Sequence, residues 1–113
     1  MDDVVYINAE EGINRVMNNV KLYTSLLGKF INDPNMNNFE NAAAKGDMEE
    51  ARGCIHSLKG LAANLSLLEL NKQAADIELQ IKAGEIKSGQ LESLKDVYDK
   101  TISEIDKVVN KYV

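Results

Sequence analysis

The segment "DMEEARGCIHSLKGLAANLSLLEL", residues 47–70, decides the fold. Its apolar residues recur every three or four positions, which is the spacing of one buried face of an α-helix. Asp47 precedes the pattern and Glu50 lies three residues further on, as in a helix-capping arrangement. Ser66 and Glu69 form a second predicted capping box, so we expect one helix to end near residue 65 and another to begin there. The predicted core stripe of the first helix is Ala51, Cys54, Ile55, Leu58, Leu61, Ala62 and Leu65.

Helical patterns continue on both sides of this segment. Before it, the sequence predicts a short apolar arm, a short helix, a longer helix and a minor helix, over residues 1–8, 8–19, 19–32 and 35–45. After it, the sequence predicts a helix that ends at Gly84 and a long final helix that follows "GEIKSG". The short connections favour antiparallel packing. The predicted fold is therefore all-α, an antiparallel four-helix bundle with an additional short N-terminal helix, in a single domain over residues 1–113.

Residues at the predicted helix ends and inner faces complete this plan. Asn8 should cap the first short helix, Asp33 and Pro34 should begin the minor helix, and Gly46 should close it. Outside the central segment, the side chains that we expect to be buried are Ile13, Val16, Met17, Val20, Tyr23, Leu26, Leu27, Phe30, Ile31, Phe39, Ala42, Ala43, Leu70, Ala74, Ile77, Ile81, Leu91, Leu94, Tyr98, Ile102, Ile105, Val109 and Tyr112.

The composition argues against several functional classes. The chain has 18 acidic and 13 basic residues and a net charge of −5, which disfavours binding to nucleic acid. It has no apolar run near the roughly 18 residues that span a bilayer, and its N-terminus lacks the plan of a signal peptide. The single cysteine cannot form an internal disulfide. We therefore expect a cytoplasmic protein that binds neither nucleic acid nor membranes.

His56, the only histidine, should lie on the solvent side of the central helix, away from the core stripe. A glycine inside a helix costs about 0.5–1 kcal/mol relative to alanine, yet two glycines flank this histidine. They would let the backbone of another molecule approach the ring, with a lysine nearby to hold an anion. The alternatives are that the glycines serve helix packing and that the histidine has no function. The predicted neighbours on this face are Arg52, Gly53, Lys59, Gly60 and Ala63.

Other reaction centres fit the residues less well. Cys54 and His56 are two positions apart and should point to nearly opposite sides of a helix, so we expect the cysteine to be a small core residue. A metal site would have one histidine and only carboxylates as its other ligands. The sequence also lacks the glycine-flanked serine of a hydrolase and a phosphate-binding glycine loop. We therefore expect no metal or other cofactor in this chain.

The segment "IHSLKGLAANLSLLEL", residues 55–70, resembles the phosphorylation motif of histidine-containing phosphotransfer (HPt) domains, His-x-x-Lys-Gly followed by small residues and a leucine. The stretches "INAEEGINRVMNNVKLYTSLLGKFI" and "AAAKGDMEEA" and the long final helix resemble bacterial HPt domains in order and length. The resemblance implies that His56 receives a phosphoryl group from a receiver-domain phospho-aspartate and passes it to another receiver aspartate. It also implies that Lys59 steadies the phosphoryl oxygens and that Gly60 leaves room for the receiver.

The resemblance further implies a glutamate or glutamine 22 positions after the histidine, which is Glu78 here. Glu78 also follows the expected core residue Ile77, so it lies at the edge of a buried stripe. Its carboxylate would accept a hydrogen bond from Nδ1–H of His56 and leave Nε2 as the nucleophile. The alternative is an ordinary surface glutamate. The chain departs from the family at Ala63 and Ser66, where glycine is frequent, and we expect this difference to affect the choice of partner.

The implied partners are response-regulator receiver domains and a hybrid sensor kinase. Mg²⁺ is expected on the receiver domain, and the docking face should comprise Arg52, Gly53, Gly60 and Ala63. Nothing in the sequence resembles an ATP-binding kinase domain, so we expect a carrier without kinase activity. We expect a monomer, and Met1 together with the complete helix plan favours a free-standing protein. Two alternatives stay open: a phosphate-independent helical adaptor that binds receiver domains, and a purely structural bundle.

Overall fold

The computed structural model of the protein describes residues 4–112, and the regular structure in this range is helical. The only extended pairing among these residues is an antiparallel bridge between Ile7 and Leu67. The predicted all-α class is thus confirmed. The described helices are α1 (Ala9–Arg15), α2 (Val20–Ile31), α3 (Asn35–Lys45), α4 (Met48–Asn64), α5 (Leu68–Lys82) and α6 (Gln90–Tyr112).

Helices α2 and α3 follow one another along the chain and together form one side of a bundle, in which α2 packs against α6 and α3 packs along α4. Helix α2 runs in the opposite direction to α6, since later positions in α2 lie beside earlier positions in α6. Helices α4, α5 and α6 form the other three sides, with α4 packed between α3 and α5 and α5 packed against α6. This arrangement confirms the four-helix bundle. Two pairs of neighbouring residues show the direction of α2 relative to α6: Val20 with Tyr112, and Phe30 with Tyr98.

Helix α3 is a full part of the bundle, and its prediction as a minor helix was wrong in this respect. It buries Met36, Phe39 and Ala42, and it packs along α4. Pro34 lies just before the helix instead of at its first position, while Asp33 Oδ1 accepts a hydrogen bond from the Asn35 backbone N–H at 2.9 Å. The Asp33 side chain therefore supplies an acceptor for the first N–H of α3.

Three predicted helix ends are confirmed by their hydrogen bonds and backbone angles. The Asn8 side chain accepts from the Glu11 N–H at 3.1 Å. The Asp47 side chain likewise accepts from the Glu50 N–H at 3.2 Å, which fixes the start of α4. Gly46 ends α3 with φ +76°, in the left-handed region that glycine adopts without a steric penalty.

Most of the predicted core is buried, with informative exceptions. Met17, Ile31 and Leu91 are exposed, contrary to prediction. Helix α1 ends at Arg15 and Met17 has φ +58°, so helical spacing no longer sets the direction of its side chain. Thr101, which was not predicted, is also buried, and its hydroxyl is satisfied by donating to the Val97 carbonyl at 2.7 Å within its own helix. The largest fully buried apolar side chains are Tyr23, Leu27, Phe39, Ile55, Leu58, Leu67, Leu70, Ile77, Leu94 and Ile105.

Ser66 does not cap α5, so the second predicted capping box was wrong. It is buried with φ +58°, and its hydroxyl donates to Glu11 Oε1 at 2.7 Å instead. The first N–H of α5, on Leu68, donates to the backbone carbonyl of Tyr6 at 2.8 Å. The backbone of the N-terminal arm thus accepts the hydrogen bond at the start of α5 that we had predicted for the Ser66 side chain. Residues 1–3 of the predicted arm lie outside the described residues.

Candidate functional site

His56 lies on the solvent side of α4, and 67% of its side chain is exposed. The helix turns its buried face, with Ile55 and Leu58, toward the core. The predicted neighbours that share the outer face are also exposed: Arg52, Gly53, Gly60 and Ala63. The structure therefore brings the predicted docking residues onto one surface around a single accessible imidazole.

Glu78 lies on α5, which packs beside α4, and its carboxylate bridges two side chains of α4. His56 Nδ1 is 2.9 Å from Glu78 Oε2, and Lys59 Nζ donates to Glu78 Oε1 at 2.5 Å. Only 6% of the Glu78 side chain is exposed, whereas its two partners reach solvent. Glu78 is therefore not an ordinary surface glutamate. It is a buried acceptor held under the histidine.

The ionisation of Glu78 follows from its partners. The hydrogen bond from Lys59, with a smaller contribution from His56, holds the pKa of the Glu78 carboxyl below its usual range, although burial acts to raise it. The carboxyl group is therefore ionised and can only accept hydrogen bonds. The hydrogen between the two residues then belongs to His56 Nδ1. This tautomer leaves the lone pair on Nε2, at the exposed edge of the ring.

The two glycines beside His56 leave open space above α4. A Cβ atom built on Gly53 or Gly60 meets no other described atom within 4 Å, leaving aside its chain neighbours and the backbone of its own helix. By contrast, a Cβ on Gly12 would lie 2.3 Å from Tyr23 Cε1, so that glycine is required for packing. Helix packing therefore does not explain Gly53 and Gly60, and their effect is a flat surface around the ring.

A model of the Hpt domain family matches residues 32–110, which is more than half of the chain. This chain belongs to the Hpt domain family. Comparison with curated proteins and with solved structures gave no match. Hpt domains are phosphocarrier modules, distinct from kinases, that serve histidine phosphotransfer and interact with receiver domains and kinases in phosphorelays. The resemblance drawn from the His-Lys-Gly motif is thus confirmed. The arm, α1 and α2 precede the matched region.

The other candidate centres in this Hpt domain have unfavourable surroundings. Cys54 is half-buried, and burial, assisted by the Glu50 carboxylate, raises the pKa of its thiol, so the reactive thiolate is disfavoured. Among the described residues, no cluster of three or more histidine, cysteine, aspartate or glutamate side chains could hold a metal ion. No helix in the described range is sufficiently long and apolar to cross a membrane.

Sequence reasoning missed one residue near the site, Asn71. Its side-chain amide donates to the backbone carbonyl of Lys59 at 3.1 Å and ties α5 to α4 below the histidine. Asn71 and Glu78 are seven positions apart and therefore lie on the same face of α5. Once Glu78 had been placed opposite His56, this spacing would have been enough to indicate Asn71.

Proposed function

We propose that this Hpt domain carries a phosphoryl group on Nε2 of His56 between the receiver domains of a two-component phosphorelay. The supporting observation is a single exposed histidine whose Nδ1 is held by the buried Glu78 carboxylate. The receiver would supply the phospho-aspartate and the bound Mg²⁺. On this proposal the protein acts in the cytoplasm as a monomer, downstream of a hybrid sensor kinase.

The reaction is an in-line transfer in which the Nε2 lone pair of His56 attacks phosphorus. The bond between phosphorus and the aspartate oxygen breaks as the P–N bond forms, and the aspartate leaves as a carboxylate. Nδ1 keeps its hydrogen throughout, so the phosphorylated ring is cationic. Glu78 lies 2.9 Å from that nitrogen and would stabilise the positive charge. The return transfer to a second receiver aspartate reverses the same bond changes.

Lys59 would steady the phosphoryl oxygens. Its ammonium group has three N–H donors, of which one is used by Glu78. The remaining donors can reach a group on the same face, one helical turn from the ring. Lys59 could therefore hold Glu78 and the phosphoryl oxygens together without moving far from its observed position.

The docking face would be built from Arg52, Gly53, Gly60 and Ala63. The positive charge of Arg52 suits the acidic pocket of a receiver, while the small residues admit its backbone close to His56. Such an interface with a polar rim is suited to brief contacts, which a carrier needs in order to serve more than one partner.

Phosphate acceptance tests this proposal directly. The protein is mixed with phosphorylated receiver domains and Mg²⁺, and its intact mass is measured before and after mild acid. We expect a gain of one phosphoryl group that acid removes and that His56→Gln abolishes. Because His56 is exposed, this variant should keep the helical circular dichroism of the wild type. Receiver binding without any gain in mass would instead support the phosphate-independent adaptor.

A further inference from the structure

A cavity of about 260 Å³ lies where α1 crosses the turn between α4 and α5. Its apolar lining residues are Ala62, Ala63, Leu67 and Leu68. Its polar lining residues are Glu11, Arg15, Ser66, Asn71 and Lys72. We call this cavity the α1 pocket. The His56 chemistry described above makes no use of it.

The N-terminal segment builds this pocket by binding the α4–α5 turn. The Asn8 N–H donates to the Ser66 carbonyl at 3.0 Å, and the Leu68 N–H donates to the Tyr6 carbonyl at 2.8 Å. The Ser66 hydroxyl donates to Glu11 Oε1 at 2.7 Å, which fixes α1 over the turn. The pocket therefore lies between a segment that precedes the family match and a turn that lies within it.

The α1 pocket is continuous with the proposed docking face. Ala63 belongs to both, and it follows His56 by seven residues on the same side of α4, roughly 10 Å along the helix axis. Asn71 lines the pocket and also donates to the Lys59 carbonyl. A molecule that covers His56 and extends toward the C-terminal end of α4 therefore reaches the pocket.

The pocket is lined by two cations, Arg15 and Lys72, against one carboxylate, Glu11. Arg15 is 3.7 Å from Glu11, Lys72 is 3.1 Å from Glu69, which does not line the pocket, and the side chains of both cations are exposed. Exposed ion pairs of this kind contribute little to stability, so a partner's carboxylate can compete for the two cations at small cost. The methyl groups of Ala62 and Ala63 suit the alkyl stem of the same side chain.

We propose that the α1 pocket is a second docking point, in which an acidic side chain of the receiver domain binds between Arg15 and Lys72 while the receiver active site meets His56. This inference rests on the proposed function. It makes α1 a determinant of which receivers bind.

Paired charge reversals test this docking point. The pocket variant is Arg15→Glu with Lys72→Glu, and the control variant is Lys95→Glu with Lys107→Glu on α6. The side chains of Arg15 and Lys72 are 50% and 72% exposed, and those of Lys95 and Lys107 are 51% and 75% exposed. Both double variants change the net charge by the same amount. Each also loses one i,i+4 ion pair and one i,i+3 ion pair. Affinity is measured by titration with the receiver that transfers fastest in a panel of purified receiver domains.

We expect the pocket variant to raise the receiver Kd by about tenfold and to flatten its dependence on salt. The control variant should stay within about twofold of wild type. Equal effects of the two variants, or no effect of either, would overturn the proposal. So would a wild-type protein that binds none of the receivers in the panel.

A reaction without any receiver separates this inference from the proposed function. Phosphoramidate can transfer its phosphoryl group to His56 Nε2, breaking its own P–N bond and releasing ammonia. We expect wild type and both variants to be labelled at the same rate, because the pocket does not touch the ring. Failure to label the wild type would count against His56 as the carrier. The receiver titrations would still decide whether the pocket is a docking point.

Discussion

Replacing Gly60 with alanine should make the protein more stable and a poorer partner for receivers. The structure gives the magnitude of the first effect. Gly60 lies within α4. Apart from its chain neighbours and the backbone of its own helix, no described atom lies within 4 Å of a Cβ built at this position. The substitution should therefore recover the full helix preference of alanine, about 0.5–1 kcal/mol in the free energy of unfolding. Gly53 has the same surroundings. The double variant should gain about 1–2 kcal/mol, because effects at separated sites add.

Urea unfolding followed by circular dichroism measures this gain, and Gly12→Ala is the matched control. There the new Cβ would lie 2.3 Å from Tyr23 Cε1, so the same change should destabilise the protein. Transfer from a phosphorylated receiver should become slower in Gly60→Ala through a higher KM. Loss of stability in Gly60→Ala would refute the reasoning that this glycine has no packing role. A gain in stability with unchanged transfer would refute its role in docking.

Two further predictions follow from buried ionisable groups. The pKa of Glu78 is lower in the folded protein than in the unfolded chain, where it is about 4.3. The ionised carboxylate therefore stabilises the fold above about pH 4.3, and this stabilisation is lost as the pH falls through the pKa of the folded protein. Glu78→Gln should reduce this acid dependence in unfolding curves measured from pH 2 to 7, and an unchanged profile would contradict the assignment. Burial raises the pKa of Tyr23 to about 12, so the protein should lose stability as the pH rises from about 10 toward that value. Tyr23→Phe should remove this alkaline loss and cost about 1 kcal/mol at neutral pH, because the Leu65 carbonyl loses its 2.7 Å hydrogen bond, whereas equal stability would argue that water replaces it.

The sequence was sufficient where local rules determine the structure. The core stripe of α4 follows from helical spacing, and the Asn8 and Asp47 caps follow from short side chains that reach an N–H three residues ahead. The exposure of His56 follows from the same spacing, since the helix can bury only one face. Each of these features depends only on residues within one or two helical turns of each other. They can therefore be predicted without knowing which other segments pack against the helix.

The failures arise where a distant segment supplies the contact. Ser66 has the sequence context of a capping residue, but its hydroxyl binds Glu11, which is 55 positions away. The N–H that it was expected to serve is satisfied by the Tyr6 carbonyl. Ser66 also has φ +58°, a conformation that favours glycine, which agrees with the glycine that the family resemblance implies at this position. The α1 pocket depends on these same contacts and was not predictable from local pattern.

Glu78 has one contact that could be predicted from the sequence and one that depends on a distant segment. Its position opposite His56 was expected, but its second hydrogen bond to Lys59 could be known only from the packing of two helices. That second bond changes how mutations at this site should be interpreted. Removing the Lys59 side chain takes away the largest influence that lowers the pKa of Glu78, while the hydrogen bond from His56 still lowers it and burial still raises it. It also removes one of the two hydrogen bonds that orient the carboxylate under the ring. Slower transfer in a Lys59 variant therefore combines a missing phosphoryl contact with a less firmly held acceptor for Nδ1, and comparison with a Glu78 variant separates the two.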